Sequence, residues 1–118
     1  MEFFQGTLVV LLGYLIGSVP IGLLIVKMRT GKDVRKVESG RTGGTNVMRA
    51  AGFWAGFATG ILDILKAAST VWIAQAFNAS QLVEVLAPIA AIVGHNYSIF
   101  LVERENGKIR LGGGAGGA

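Results

Sequence analysis

Apolar residues run along this chain in three continuous blocks, with short polar stretches between them. Residues 7–26 (TLVVLLGYLIGSVPIGLLIV) carry no charge at all. Residues 53–77 hold only Asp63 and Lys66 as charges, and residues 85–102 are interrupted by His95 and Asn96. A helix that crosses a bilayer needs about 20 predominantly apolar residues, so each block predicts a transmembrane helix. Pro20 and Pro88 are expected to kink the first and third spans, with Gly17 and Gly22 leaving room for close neighbours. The first block does not read as a signal peptide. Its leader MEFFQG has no basic residue, and the apolar run exceeds the h-region of about 7–15 residues. The pattern predicts an all-α fold: a polytopic helical membrane protein with about three spans in this chain.

Composition supports lipid as the solvent. The chain is 52% hydrophobic and 15% charged with a mean hydropathy of +0.57, against about 25% charged residues in soluble domains. Its 18 glycines are roughly twice the usual share of about 7% and favour close helix packing and backbone-lined sites. The net charge of +4 is not interleaved with aromatics on one face, which argues against a nucleic-acid partner. It falls instead between the spans. Lys27, Arg29, Lys32, Arg35, Lys36, Arg41 and Arg49 lie between the first two, and Arg104, Lys108 and Arg110 follow the third. The N-terminus and the connector NASQ (78–81) carry no basic residue. The positive-inside rule then puts the N-terminus outside the cell membrane and the segments 27–49 and 103–118 in the cytoplasm. Absence of cysteine excludes disulfides, thiol nucleophiles and thiolate metal sites. His95, a single histidine with no second ligand at suitable spacing, predicts no metal and no cofactor. The terminal LGGGAGGA has no helix after it, so residues 1–118 are expected to be one membrane domain from the N-terminal part of a longer chain.

The chemistry concentrates in ESGRTGGTNVMR (38–49). A helix starting near Thr45 or Asn46, either of which can serve as N-cap, would offer free amides and a partial positive charge to an anion. Arg49, three residues beyond Asn46, would share its face and could bind a phosphate bidentately. Gly40, Gly43 and Gly44 let backbone approach a ligand, and Ser39 and Thr45 add hydroxyls. No Walker A pattern is present. A basic loop that touches only anionic lipid headgroups is the competing reading. Asp63 and Lys66, three apart within a span, predict an interhelical ion pair or the lining of a polar cavity. At about 1.5 Å per residue, Asp63 lies roughly 15 Å beyond Phe53. That is too far to share a small phosphate with Arg49 unless the helix breaks. His95 could carry a proton or be satisfied by a carbonyl. The terminal GGGAGG matches G-x-G-x-x-G only as low complexity.

The stretch SGRTGGTNVMR resembles the SGNxGATNxxR signature of the acyl-phosphate:glycerol-3-phosphate acyltransferases, bacterial integral membrane enzymes of phospholipid synthesis. GSVPIGLLI (17–25), DVRKVESG (33–40), LDILKA and GHNYSIFL are similar to that family's segments in the same order. The resemblance implies Ser39 and Arg49 as the essential catalytic pair, with Gly40, Gly43, Thr45 and Asn46 shaping a phosphate site. GGAGGA (113–118) matches the family's GGKGVA segment. It adds Gly113, Gly114 and Gly116 as secondary candidates beside Asp63, Lys66, His95 and Asn96. This chain departs from the pattern at Gly117, which stands where the family segment has valine, and at three further places. Arg41 stands where the family has asparagine, Gly44 replaces an alanine, and Ala115 occupies the place of the phosphate-binding lysine, with Lys108 or Arg110 upstream to supply that charge. The implied reaction moves a fatty acyl group from acyl phosphate to glycerol 3-phosphate, giving lysophosphatidic acid, with membrane lipid as the other partner. Neither a metal nor an acyl-enzyme is required, because the donor is already activated. The alternative is a non-catalytic transport or assembly subunit with Asp63 and Lys66 as its polar centre.

Overall fold

The computed structural model describes residues 3–105 and 107–113. Five α-helices carry the chain: α1 (Phe3–Ser18), α2 (Ile21–Thr30), α3 (Gly44–Ala51), α4 (Phe53–Ala76) and α5 (Gln81–Asn96). Short 3-10 turns lie at Val34–Lys36 and Ile99–Leu101, and the chain closes with an antiparallel pair, β1 (Val102–Glu105) and β2 (Lys108–Leu111). Among the described residues three segments are long and apolar enough to span a membrane: Phe3–Thr30, Phe53–Ala76 and Gln81–Leu101. These are the three blocks of the sequence, and the protein is a multi-pass helical membrane protein. Leu15, Ile64, Trp72, Ile89 and Ile92 are exposed on the bundle's outside, the side that lipid rather than water would cover.

Small residues set the central contact. Gly13 and Gly17 of α1 lie against Ala87 and Ala91 of α5. A Cβ on Gly13 would stand 2.6 Å from the Ala87 carbonyl oxygen, and one on Gly17 would overlap that of Ala91. Gly94 in turn rests on the backbone of Tyr14 and Ser18. This small-xxx-small seam lets the two backbones touch, which in lipid replaces the hydrophobic drive available in water. The constant offset from 13–87 to 17–91 makes α1 and α5 parallel. Val9, Ala74, Val83 and Ala87 form a buried cluster at one end. The far end of α4 therefore meets the near ends of α1 and α5, and α4 runs antiparallel to both.

The first span is broken rather than merely kinked. Val19 and Pro20 separate α1 from α2, since proline lacks an N–H and crowds the preceding turn. Pro88, by contrast, lies inside an unbroken α5. The second block also differs from its expected outline. A helix beginning at Thr45 or Asn46 and running on into the span was expected. Instead α3 starts at Gly44 with Gly43 as an extended N-cap, and it stops at Gly52, whose φ of 98° is closed to most side chains. Gly52 reverses the chain, so α3 folds back along α4. A Cβ on Gly56 would sit 2.6 Å from the Gly44 carbonyl oxygen. Val26, Val34, Val47 and Ala55 bury a second core that fixes α2, the 3-10 turn, α3 and the start of α4 together. The β-hairpin was not foreseen in the segment 103–118, although Asn106-Gly107 between VERE and KIRL is a hairpin signal.

Candidate phosphate site

The glycine-rich loop is built from its two ends inward. Asp33 opens the 3-10 turn, its carboxylate accepting the Arg35 backbone N–H at 2.9 Å. The Arg35 guanidinium grips the same carboxylate, Nη2 to Oδ2 at 2.7 Å, and lies 3.4 Å from Glu103 Oε1 of β1. That hydrogen bond holds the Asp33 carboxyl below its ordinary range, against the opposing effect of partial burial. Beyond the turn, Glu38 (φ 38°) and Gly40 (φ 72°) adopt left-handed conformations. A side chain at Gly40 would come within 2.8 Å of the Arg35 carbonyl oxygen.

Asn46 closes the loop from below. It is fully buried, and its Nδ2 donates to the carbonyls of Val34, Val37 and Arg41 at 3.3, 3.0 and 2.9 Å. The expectation that Asn46 and Arg49 share one face is corrected by this burial. Asn46 points into the loop, whereas Arg49 is on the outside, its Nε 3.2 Å from Glu38 Oε2. The first bond of α3 runs from Val47 N–H to the Gly43 carbonyl, so the amides of Gly44, Thr45 and Asn46 lie outside the helix's own bonding. Ser39 is exposed, and its Oγ accepts the Arg41 N–H at 3.3 Å. Thr45 is half-buried in the first turn.

A second glycine segment joins the first. The buried Thr42 donates its N–H to the Gly113 carbonyl at 3.2 Å, and Ser98 donates its own to Gly112 at 2.9 Å. Gly113 itself rests on the carbonyls of His95 and Asn96, with no room for a side chain. Thr42 and Ser98 were not singled out from sequence, because their role is to join segments far apart in the chain. Gly114, Ala115 and Gly116 lie outside the described residues.

Asp63 and Lys66 do pair, and the structure adds His95 to them. Lys66 Nζ is 2.9 Å from the Val19 carbonyl, 3.1 Å from His95 Nδ1 and 3.1 Å from Asp63 Oδ1. The ammonium thus sits between the α1–α2 break, α5 and α4: it donates to the Val19 carbonyl and lies in charge contact with Asp63, whose Oδ1 is buried without a hydrogen-bond partner. The helix does break between Arg49 and Asp63, but α3 carries Gly44 down beside Gly56 and Gly60 and leaves Arg49 at its upper end. The glycine loop, not Arg49, is what approaches the polar cluster. Among the described residues no group of three His, Cys, Asp or Glu side chains could hold a metal ion.

A family model described as glycerol-3-phosphate acyltransferase matches residues 7–116. A glycerol-3-phosphate acyltransferase of Rubrobacter xylanophilus is 45% identical over 107 residues, 91% of this chain and 53% of the relative. That of Symbiobacterium thermophilum is 41% identical over 106 residues, 90% of this chain and 52% of the relative. The crystal structure of PlsY (YgiH), an integral membrane glycerol 3-phosphate acyltransferase in its glycerol 3-phosphate form, is similar with a TM-score of 0.74 and 34% identity. It aligns with 93% of this chain and 51% of its own. The chain spans about half the length of the curated relatives it matches.

Proposed function

The chain belongs to the glycerol-3-phosphate acyltransferase family, and on that premise we propose that it serves acyl transfer from acyl phosphate to glycerol 3-phosphate at the glycine loop. The observation that carries this reading is the loop closed by Asn46. It brings Ser39, the free amides of α3 and the Gly113 segment to one place. Fixed N–H donors of this kind suit a phosphate and the negative charge that develops as an acyl carbonyl is attacked.

In the step itself the glycerol hydroxyl oxygen bonds to the acyl carbon and the bond from that carbon to the phosphate oxygen breaks. Inorganic phosphate leaves, carrying the hydroxyl proton, and lysophosphatidic acid remains. Ser39 orients the reacting groups by hydrogen bonding. Arg49 meets a phosphate by exchanging Glu38 for it. Both side chains of that pair are largely exposed, and an exposed ion pair is worth only about 0–1 kcal/mol, so a dianion displaces it readily. The basic segments face the cytoplasm in this reading, where both headgroups are available, while the acyl chain stays in lipid.

The test is lysophosphatidic acid formation by the protein reconstituted in lipid. Arg49→Ala is expected to lower kcat/KM by about a hundredfold or more, the scale for losing a charge-stabilising donor. Undiminished transfer by that variant, or no transfer by the unsubstituted protein, overturns the reading. If Asp63→Ala alone abolishes function while Arg49→Ala is silent, the transport alternative takes its place.

A further inference from the structure

We propose that Lys66 and Ser98 are positioning residues for acyl transfer. They bond the two carbonyls left free where the first span breaks, and so hold the start of α2 against the seam of the glycine loop. The inference rests on the acyl-transfer reading and deepens it.

The break creates the need. An unbroken helix would bond the carbonyls of Ser18 and Val19 to the N–H groups of Gly22 and Leu23. Here the first bond of α2 runs from Leu24 to Pro20 at 3.1 Å, and Val19 takes a tight turn bond from Ile21 at 3.0 Å. Within a span no water replaces the missing bonds, so other protein groups must. Two side chains from outside the span do so. Ser98 Oγ donates to the Ser18 carbonyl, and Lys66 Nζ donates to that of Val19 at 2.9 Å. Lys66 is therefore more than half of an i,i+3 pair. Its contact with Asp63 Oδ1, at 3.1 Å, is one of charge, and that oxygen is buried without a hydrogen-bond partner. The directed bond of the ammonium goes to the break.

Both capping groups also touch the segment that seats the glycine loop. Lys66 Nζ lies 3.1 Å from His95 Nδ1, and the carbonyls of His95 and Asn96 leave no room for a side chain on Gly113. Ser98 donates its N–H to Gly112 at 2.9 Å. Gly113 in turn accepts the N–H of the buried Thr42 at 3.2 Å. Thr42 is pressed from its other side by α2, since a Cβ on Gly22 would overlap its carbonyl oxygen. The Thr42 backbone thus lies between the start of α2 and the second glycine segment, and Lys66 and Ser98 join those two walls. Their part is geometric. The free amides of α3 begin two residues after Thr42, and a shift of about 1 Å in such donors can cost about a hundredfold in rate.

Kinetics and amide hydrogen exchange of the protein reconstituted in lipid nanodiscs test this together. Asp63→Leu combined with Lys66→Met removes both charges of the pair, so no buried carboxylate is left unpaired. This double variant is expected to lower kcat for lysophosphatidic acid formation at least tenfold, with KM for either substrate changed less. Exchange across residues 41–44 should quicken at least tenfold, while residues 85–91 of α5 keep their rates. Ser98→Ala, which removes one hydroxyl and no charge, should move both readouts in the same direction. If the double variant does not fold, Ser98→Ala carries the test alone. Unchanged kcat in either folded variant, or a fall in kcat with exchange at residues 41–44 unchanged, overturns the proposal. So does faster exchange in both segments alike, the mark of a general loosening. Should the unsubstituted protein show no transfer at all, the acyl-transfer reading falls by itself. Exchange then decides: quickening confined to residues 41–44 upholds the tie between the break and the loop, and any other pattern overturns it.

Discussion

Asn46 shows how a polar residue singled out from sequence can point another way than its helical spacing suggests. In sequence it stands where an N-cap or a ligand donor would, next to Thr45 and three before Arg49. In the fold its helical phase falls with Val47 on the buried side of α3, and its amide nitrogen donates to three loop carbonyls. That orientation depends on where α3 begins, and the start moved to Gly44 because Gly43 takes the extended cap position. Replacing Asn46 by Ala leaves those carbonyls without their common donor. With about 1–3 kcal/mol for each unsatisfied buried group, part of it recovered by water, a stability loss of about 2–3 kcal/mol is expected. Thermal unfolding in detergent checks the loss, and limited proteolysis should show cleavage within residues 36–43. An unshifted transition with an intact loop would mean that the turn at Val34–Lys36 and its Asp33–Arg35 pair hold the segment unaided.

At the scale of elements, the spans were legible because an uninterrupted apolar block has no soluble explanation at that length. The breaks were less so. Proline at position 20 announces its own interruption, but Gly52 reads as one more glycine until the reversal of α3 onto α4 is seen. Asp63 and Lys66 declare themselves by spacing. His95 lies 29 residues from Lys66 in the chain, and only the packing of α5 beside α4 brings it there. That packing hangs on the α1–α5 seam, where Gly17 admits the Ala91 carbonyl. Gly17→Ala places a methyl group against the fixed backbone of Ala91 in α5, so the helices must separate rather than a side chain turn away. Overpacking of this kind costs about 1–3 kcal/mol, and the expected outcome is a lower unfolding temperature. Gly60→Ala, where a Cβ meets nothing within 4 Å, is the control and should leave the transition in place. Equal behaviour of the two variants would show that the seam is not the tight contact described.

For the molecule as a whole, helix directions and charge agree on one arrangement. Parallel α1 and α5 with antiparallel α4 put Phe3, Phe77 and Gln81 at one end. The basic stretch, α3 and the β-hairpin fall toward the other. Phe53, Trp54 and Phe57 form an exposed aromatic cluster at the entry of α4, with ring centroids 5.1–6.1 Å apart, the kind of group that settles at a membrane–water boundary. The cluster marks a membrane boundary beside the basic loop, and the side on which the proposed topology places that boundary rests on the lysine and arginine count alone. Because the chain has no cysteine, any single one introduced is a unique label. Cysteine at Gln5 or Gln81 should react with a membrane-impermeant maleimide on intact cells. Cysteine at Lys32 or Lys108 should react only after permeabilisation. The opposite pattern would place the glycine loop outside. A cytoplasmic acyl phosphate could not reach the loop there, and the proposed acyl-transfer reading would fail with the topology even if the fold stood unchanged.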